Sequence, residues 1–385
     1  MTPVAMIKAP SQGLHPSKIM YVGMDVHKET HAAYAQDCFG TVCLNKEIKN
    51  DRLGFNHLVQ TVNKLTKENG LTPVFGLEDT GGYGKKLAKY LTREKHIVKS
   101  VNPIMVTRER SKNVHPEKND LLDAKGVAKV LIHEGIDTLP DYRLSEKTDI
   151  AKGLRNIIND RTYLVKERTR IKNQLHVLLC DKYGFDYKTK YFKNVFTQKA
   201  LTFFLKDSKS KKKNNDDQLS DLELTILNSQ IKRKIERVIG IQCEVKEIED
   251  QIRKLIDSTN IKIETLPGCG LVTAATIIAE VSDIDRFKSA SKLAKYAGLA
   301  PREKSSGKTK NMFKSKAGNK RLKGAFHAIA FSQIGRYGCA TSKAYYKKKV
   351  DEGKTKMQAL THLKRRLVDI IYLMLKYETE YRYEV

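Results

Sequence analysis

From Leu224 the chain repeats itself every seven residues. Leu224, Ile231, Val238, Val245 and Ile252 recur at that interval, and Ile241, Ile248 and Leu255 fill the companion positions three residues later. A seam of this period runs along one face of a long helix, and that face has to be covered by another helix. Upstream, Ile157, Leu164, Ile171 and Leu178 form a second seven-residue series, with Arg161 and Arg168 interrupting its companion positions. The two series predict an antiparallel coiled-coil arm over 146–260, with pairing between separate chains as the alternative. Between them lie an aromatic-rich stretch from Tyr183 to Phe204 and a lysine-rich insertion near 207–217, whose composition fits a solvated loop.

The segments on either side of the arm read differently. Residues 1–18 carry Pro and Gly without an apolar core and are expected to be a disordered leader. From Ile19, "IMYVGMDV", "HAAYA" and "TVCLNKEI" read as three adjacent strands, and "PVFGLE" and "HIVKSVN" as two more with helical segments around them. Strands first, then alternating strand and helix, predict a mixed sheet covered by helices over 19–145. Residues 261–385 read as a mainly helical domain, so the fold class is α/β plus α.

Charge narrows the partner. Against 44 Asp and Glu stand 72 Lys and Arg, a formal net charge of +28, and a field of that size favours polyanions, nucleic acid first. The apolar run "VDIIYLML" is too short to span a bilayer, so no membrane role is expected. Six cysteines without a C-x-x-C pair argue against structural zinc and disulfides and for a reducing cytoplasm.

Four carboxylates stand out. Strand alternation puts Asp25 on one face with Tyr21 and Gly23, in an otherwise apolar strand where an unpaired charge is costly. Glu78 ends the next clear strand, and Asp120 and Asp123 share one face of a helix. Together they can hold Mg²⁺, which takes carboxylate oxygens and phosphate. Each also has a structural alternative: a buried cation beside Asp25, a surface position for Glu78, and helix capping for Asp120 with Asp123 assisting. His27 shares the strand face of Asp25, but as a strand-end residue it is left outside the candidate site.

A second constellation is "KYAGLAPREKSSGKTKNMFKSKAGNK", a basic loop around Ser-Ser-Gly just beyond a helix that Ser289 or Ser291 can cap and Gly298 can end. "LPGCGLVTAATI" offers Gly268 and Gly270 before a helix start, where backbone N–H groups contact phosphate, and "KAGNKRLK" offers Asn319, Lys320 and Arg321. A simple turn and a helix cap are the structural alternatives.

"YVGMDVHKE", "GLEDTGGY", "NDLLDAKGVA", "LPGCGLVTAATIIAEV", "DRFKSASKLAKYAGLAPREKSSG" and "KAGNKRLK", in that order from Ile19 to the C-terminal helices, closely resemble the DEDD-type insertion-sequence transposases, which include the bridge-RNA-guided recombinases. The resemblance implies an RNase H-like (RuvC-like) N-terminal domain in which Asp25, Glu78, Asp120 and Asp123 bind Mg²⁺, with Mn²⁺ as a substitute. It also implies a C-terminal transposase domain whose nucleophilic serine maps to Ser306, with Ser305 as the neighbouring register. Arg302, Lys304, Lys308 and Lys310 would then hold the DNA backbone near the reacting phosphate. The partners implied are donor and target DNA, a guide (bridge) RNA encoded by the element, and further copies of the chain in a dimer or tetramer, in a prokaryotic cytoplasm at the nucleoid. Two other functions are weighed beside this one: a metal-dependent nuclease or junction resolvase using water as nucleophile, and a non-enzymatic nucleic-acid-binding protein.

Overall fold

The computed structural model describes residues 14–382 apart from 80–81, 113–116, 118, 143–145, 208–219, 307–308 and 314–316; between 302 and 312 it describes the backbone and, of the side chains, only Glu303. Most of the expected leader and of the lysine-rich insertion, and Lys308, therefore lie outside the described residues. The chain divides into two compact units, Met1–Ser145 and Glu146–Val385.

The first unit is a five-stranded sheet with helices on both faces. Its strands are β1 (Ile19–Val26), β2 (Thr30–Gln36), β3 (Val42–Lys49), β4 (Thr72–Glu78) and β5 (Ile97–Ser100), and its helices α1 (Arg52–Asn69), α2 (Lys85–Arg93), α3 (Pro103–Arg110) and α4 (Asp120–Glu134). The strand order is β3-β2-β1-β4-β5. β1, β2 and β3 pair antiparallel, while β1, β4 and β5 pair parallel, an arrangement consistent with an RNase H-like domain. β1 is buried along its whole length, as expected of a central strand covered on two sides. Met20, Val22, Met24, Phe75 and Leu77 pack on one face with Leu58, Val62, Leu87 and Leu91 of α1 and α2. Ile19, Tyr21 and Val74 pack on the other with Val127 and Leu131 of α4.

The second unit begins with α5 (Glu146–Tyr183) and continues through α6 (Tyr187–Lys190), α7 (Gln198–Asp207) and α8 (Asp221–Asp257). α8 opens on a capping box in which Ser220 and Glu223 satisfy each other's backbone N–H. The two long helices run antiparallel: Arg161 meets Glu249 at 2.6 Å, Glu167 meets Arg237 at 2.9 Å, and Gln174 meets Lys234 at 2.8 Å. Arg161, which breaks the apolar series of α5, thus has an acidic partner on α8. Ile171, Leu175 and Leu179 bury themselves with Ile231, Ile235 and Val238.

At the base of this pair, Leu154, Ile158, Ile252 and Ile256 join the same core as the C-terminal helices. These are α9 (Leu271–Val281), α10 (Ala290–Tyr296), α11 (Lys320–Ile334), α12 (Ala340–Asp351) and α13 (Lys356–Tyr377). That shared core explains why the expected boundary at residue 260 is not one between compact units. Where the sequence reads as a basic loop, the backbone forms a two-stranded hairpin, β6 (Arg302–Ser306) and β7 (Thr309–Phe313). Among the described residues no helix is long and apolar enough to cross a membrane.

Candidate active site

Strand register and one glycine gather the carboxylates. In the parallel pairing of β1 with β4, Asp25 stands opposite Glu78 at the C-terminal ends of both strands. Their side chains share the face that carries Gly23 and Gly76, which is the face α4 covers. A Cβ on Gly23 would fall 2.1 Å from Ala124 O and 2.5 Å from Ala128 N, so α4 rests directly on the backbone of β1. Its first turn is thereby delivered to the strand end.

The cap of α4 is Asn119, whose side chain accepts the Leu122 N–H at 2.8 Å. Asp120 is therefore released from the capping role that the sequence left open. Ligand atoms of Asp25, His27 and Asp120 lie within 4.8 Å of one another. His27 Nε2 is 3.1 Å from Asp25 Oδ2 and 3.4 Å from Asp120 Oδ2, so the histidine that sequence reasoning set aside sits between the two carboxylates. Asp123 is buried and paired with the Arg110 guanidinium, a cation the sequence did not single out.

Asp25 is in electrostatic difficulty without a cation. Burial pushes its carboxyl above the ordinary value; the His27 ring offsets part of this, while the charges of Asp123 and Asp120 add to the rise. Oxygen donors clustered at a strand end, with one carboxylate destabilised as an anion, fit a divalent cation. Asp79, next to Glu78, has a different job: its carboxylate accepts the Tyr142 O–H at 2.7 Å and the Gly82 N–H at 2.5 Å, holding both residues to the end of β4. His31, fully buried beneath the site, accepts the His27 N–H on Nδ1 at 3.2 Å and stacks on Phe55; burial lowers its pKa, so it stays neutral.

A DEDD, IS110-type model described as "Transposase" matches residues 22–183, and a model for the transposase IS116/IS110/IS902 family matches residues 261–347. The chain belongs to this transposase family. The transposase is 26% identical to the insertion element IS116 uncharacterized 44.8 kDa protein of Streptomyces clavuligerus, over 93% of this chain and 94% of the relative. It is 26% identical to the pilin gene-inverting protein of Moraxella lacunata, over 92% and 95%. With the transposase for insertion sequence element IS1328 of Yersinia enterocolitica it shares 22% identity, over 79% and 81%. Membership makes it an enzyme of DNA cleavage and transfer, and a DEDD-type transposase implies a divalent metal, which the Asp25, His27 and Asp120 group has the donors to hold.

The remaining sequence candidates of the transposase fall in the second unit. Ser306 ends β6 and pairs with Thr309; Ser305 pairs with Lys310, Lys304 with Asn311 and Arg302 with Phe313. Gly268 holds φ 78, and a Cβ on it would lie 3.0 Å from the Ser332 side chain and 3.2 Å from Ile329 O, so the missing side chain lets the turn sit on α11. Gly270 has open space around it at the N-cap of α9, where no side chain caps the helix. Asn319 caps α11, and with Lys320 and Arg321 it lines an open pocket of about 390 Å³. Arg155 and Glu280, which the sequence did not mark, complete that pocket with Tyr296.

Proposed function

We propose that this transposase cuts and rejoins DNA of an insertion sequence through a covalent phosphoserine intermediate on Ser306, at sites chosen by an RNA encoded in the same element. The observation that carries the reading is the carboxylate cluster at the ends of β1, β4 and α4, inside a chain whose two family matches cover the acidic sheet and the serine hairpin in turn. In the first displacement, Ser306 Oγ forms a bond to the phosphorus of a backbone phosphodiester as one deoxyribose oxygen leaves. The hydroxyl proton departs and the leaving oxygen gains one. Rejoining reverses the displacement with a new sugar hydroxyl, so no phosphodiester energy is lost between the steps.

Asp25, Glu78, Asp120 and Asp123 are the residues we assign to Mg²⁺, with Mn²⁺ able to replace it; oxygen donors suit both ions better than an imidazole does. A bound ion would screen phosphate charge and favour the alkoxide of the attacking hydroxyl. His27 bonds Asp25 Oδ2 and orients it. The serine and the carboxylates lie in different units of the chain, and recombination joins two duplexes; both facts favour an assembly of several copies, a dimer or a tetramer.

Denaturing electrophoresis after co-expression with native flanking DNA tests the assignment. DNA should remain covalently attached to the wild-type protein and to Ser305→Ala, and be absent from Ser306→Ala and Asp25→Ala. Cleavage that persists in Ser306→Ala without an adduct would make water the nucleophile and the enzyme a metal-dependent nuclease or junction resolvase.

We assign Arg302, Lys304, Lys308 and Lys310 on the hairpin, Gly268 and Gly270 at the start of α9, and Asn319, Lys320 and Arg321 at the start of α11 to the nucleic-acid backbone. Each cation placed on a phosphate releases counterions, so Lys320→Gln should lower the slope of log K against log salt on duplex DNA by about 0.9. A fluorescence-anisotropy titration across salt concentrations measures it, and an unchanged slope removes Lys320 from the footprint.

A further inference from the structure

The hairpin leaves the helical body at Gly298 and rejoins it at Gly318, and these two positions touch. A Cβ on Gly318 would lie 2.6 Å from both Gly298 Cα and Gly298 N, and one on Gly298 would lie 2.4 Å from Ala317 O. Both glycines also hold positive φ, 67° and 112°, where side chains are strained. The crossing is sealed by the next residue. Asn319 donates its backbone N–H to Tyr296 O at 2.8 Å. Its Nδ2 donates to Glu280 Oε2 at 2.5 Å and to the Tyr296 hydroxyl at 3.3 Å, and its Oδ1 accepts the Leu322 N–H at 2.9 Å. One side chain thus binds the chain before the hairpin, the end of α9 and the start of α11.

Glu280 is the fixed point of this arrangement. It is 6% exposed, a burial that a carboxylate tolerates only when paired. Arg155 of α5 and Arg321 of α11 each approach its Oε1 at 3.5 Å. Arg155 also donates to Ala279 O at 2.7 Å. Arg286 donates to Glu280 O at 3.0 Å and lies over the Tyr296 ring at 4.5 Å. The hairpin itself is a sheet of two strands, and an isolated two-stranded hairpin is marginal in water. How its ends are held therefore bears on where it is presented.

We propose that Glu280 and Asn319 are positioning residues, a latch that closes the neck of the hairpin and presents β6, and with it Ser306, from a rigid base. The catalytic part of this statement rests on the reading of Ser306 as nucleophile; the mechanical part does not. Neither residue reaches the reacting atoms. The latch acts by limiting where the attacking hydroxyl can be, and displacements of about 1 Å in such groups can cost a hundredfold in rate.

The discriminating variant is Asn319→Ser, which still caps a helix but is too short to reach Glu280 or the Tyr296 hydroxyl. In the full-length protein we expect Tm to stay close to wild type. Tryptic cleavage between Arg302 and Phe313 should accelerate by roughly tenfold, and the rate of DNA cleavage at saturating DNA, where any change in Kd drops out, should fall by roughly 10- to 100-fold. Glu280→Gln keeps an acceptor for Asn319 and should behave as wild type in both assays. An unchanged tryptic rate in Asn319→Ser overturns the latch, and so does acceleration that appears only in step with global melting. Equal damage in Glu280→Gln assigns Glu280 to charge pairing alone and overturns it as well. If Ser306→Ala still cleaves DNA, the nucleophile assignment fails while the proteolysis result still decides the latch.

Discussion

Asp25→Asn should make the metal-free protein more stable and the enzyme inactive. Burial and the neighbouring Asp123 and Asp120 charges raise the Asp25 carboxyl above its ordinary value of 3.8. For a group raised in this way, the stability it contributes is complete below the ordinary value and is lost as pH climbs through the raised one. At neutral pH the folded protein therefore carries the cost of an ionised Asp25. An amide of the same shape removes that cost. Thermal melting in EDTA at pH 7 should show a higher Tm for Asp25→Asn, and the difference should close as the pH falls below about 4, where the wild-type carboxyl is neutral too. Magnesium should raise the Tm of wild type and leave the variant where it was. Catalysis moves the other way: losing several kcal/mol of metal-assisted charge stabilisation, about 4, corresponds to about a thousandfold in strand cleavage. A variant that loses activity but also stability, with no response to metal in wild type, would show that Asp25 is a structural partner of His27 and nothing more.

Gly23→Ala should be nearly as damaging although it adds one methyl group. The new carbon would lie 2.1 Å from Ala124 O and 2.5 Å from Ala128 N, atoms of a helix backbone that cannot rotate aside. Either β1 or α4 must move. Overpacking of a rigid site costs about 3 kcal/mol, which for a unit of this size lowers Tm by roughly 10 °C. The shift also carries the first turn of α4 away from Asp25, so metal binding should weaken before the fold is lost. Calorimetry with and without magnesium separates the two effects. Gly153→Ala is the control: nothing lies within 4 Å of its would-be Cβ, and α5 is helical there, so that exchange should hold or raise Tm. Similar melting of the two variants would mean that α4 is free to adjust.

The contrast between these glycines shows what a single sequence can and cannot convey. The strands of the sheet were legible because β-branched and aromatic runs alternate with turn residues, and Asp25 was legible as a charge out of place in such a run. Gly23 looks like any glycine in a strand; only the approach of α4 from a hundred residues downstream gives it a meaning. His27 was set aside for the same reason. Its partner Asp120 lies beyond four more strands and three helices, and the spacing between the two says nothing about distance. The hairpin β6–β7 was hidden by composition: Lys, Arg and Ser dominate "REKSSGKTKNMF", and a strand without an apolar face offers no period to count. Glu280 closes an apolar helix and reads as an ordinary C-terminal acid, whereas its role is set by Arg155, Asn319 and Arg321 from two other elements.

The ion pairs across α5 and α8 also bear on length measurement. Apolar residues that recur every seven positions would pack almost as well after a slip of one repeat, about 10 Å along the axis. Such a slip would set Arg161 against Ile256 and Glu167 against Glu244 in one direction, or Arg161 against Gln242 and Glu167 against Gln230 in the other. One outcome strands a cation beside a hydrocarbon and opposes like charges; the other dissolves both pairs. The observed register is the one that keeps Arg161 with Glu249 and Glu167 with Arg237. The helix pair is thereby a ruler with a single graduation, and whatever meets its far end meets it at one reach.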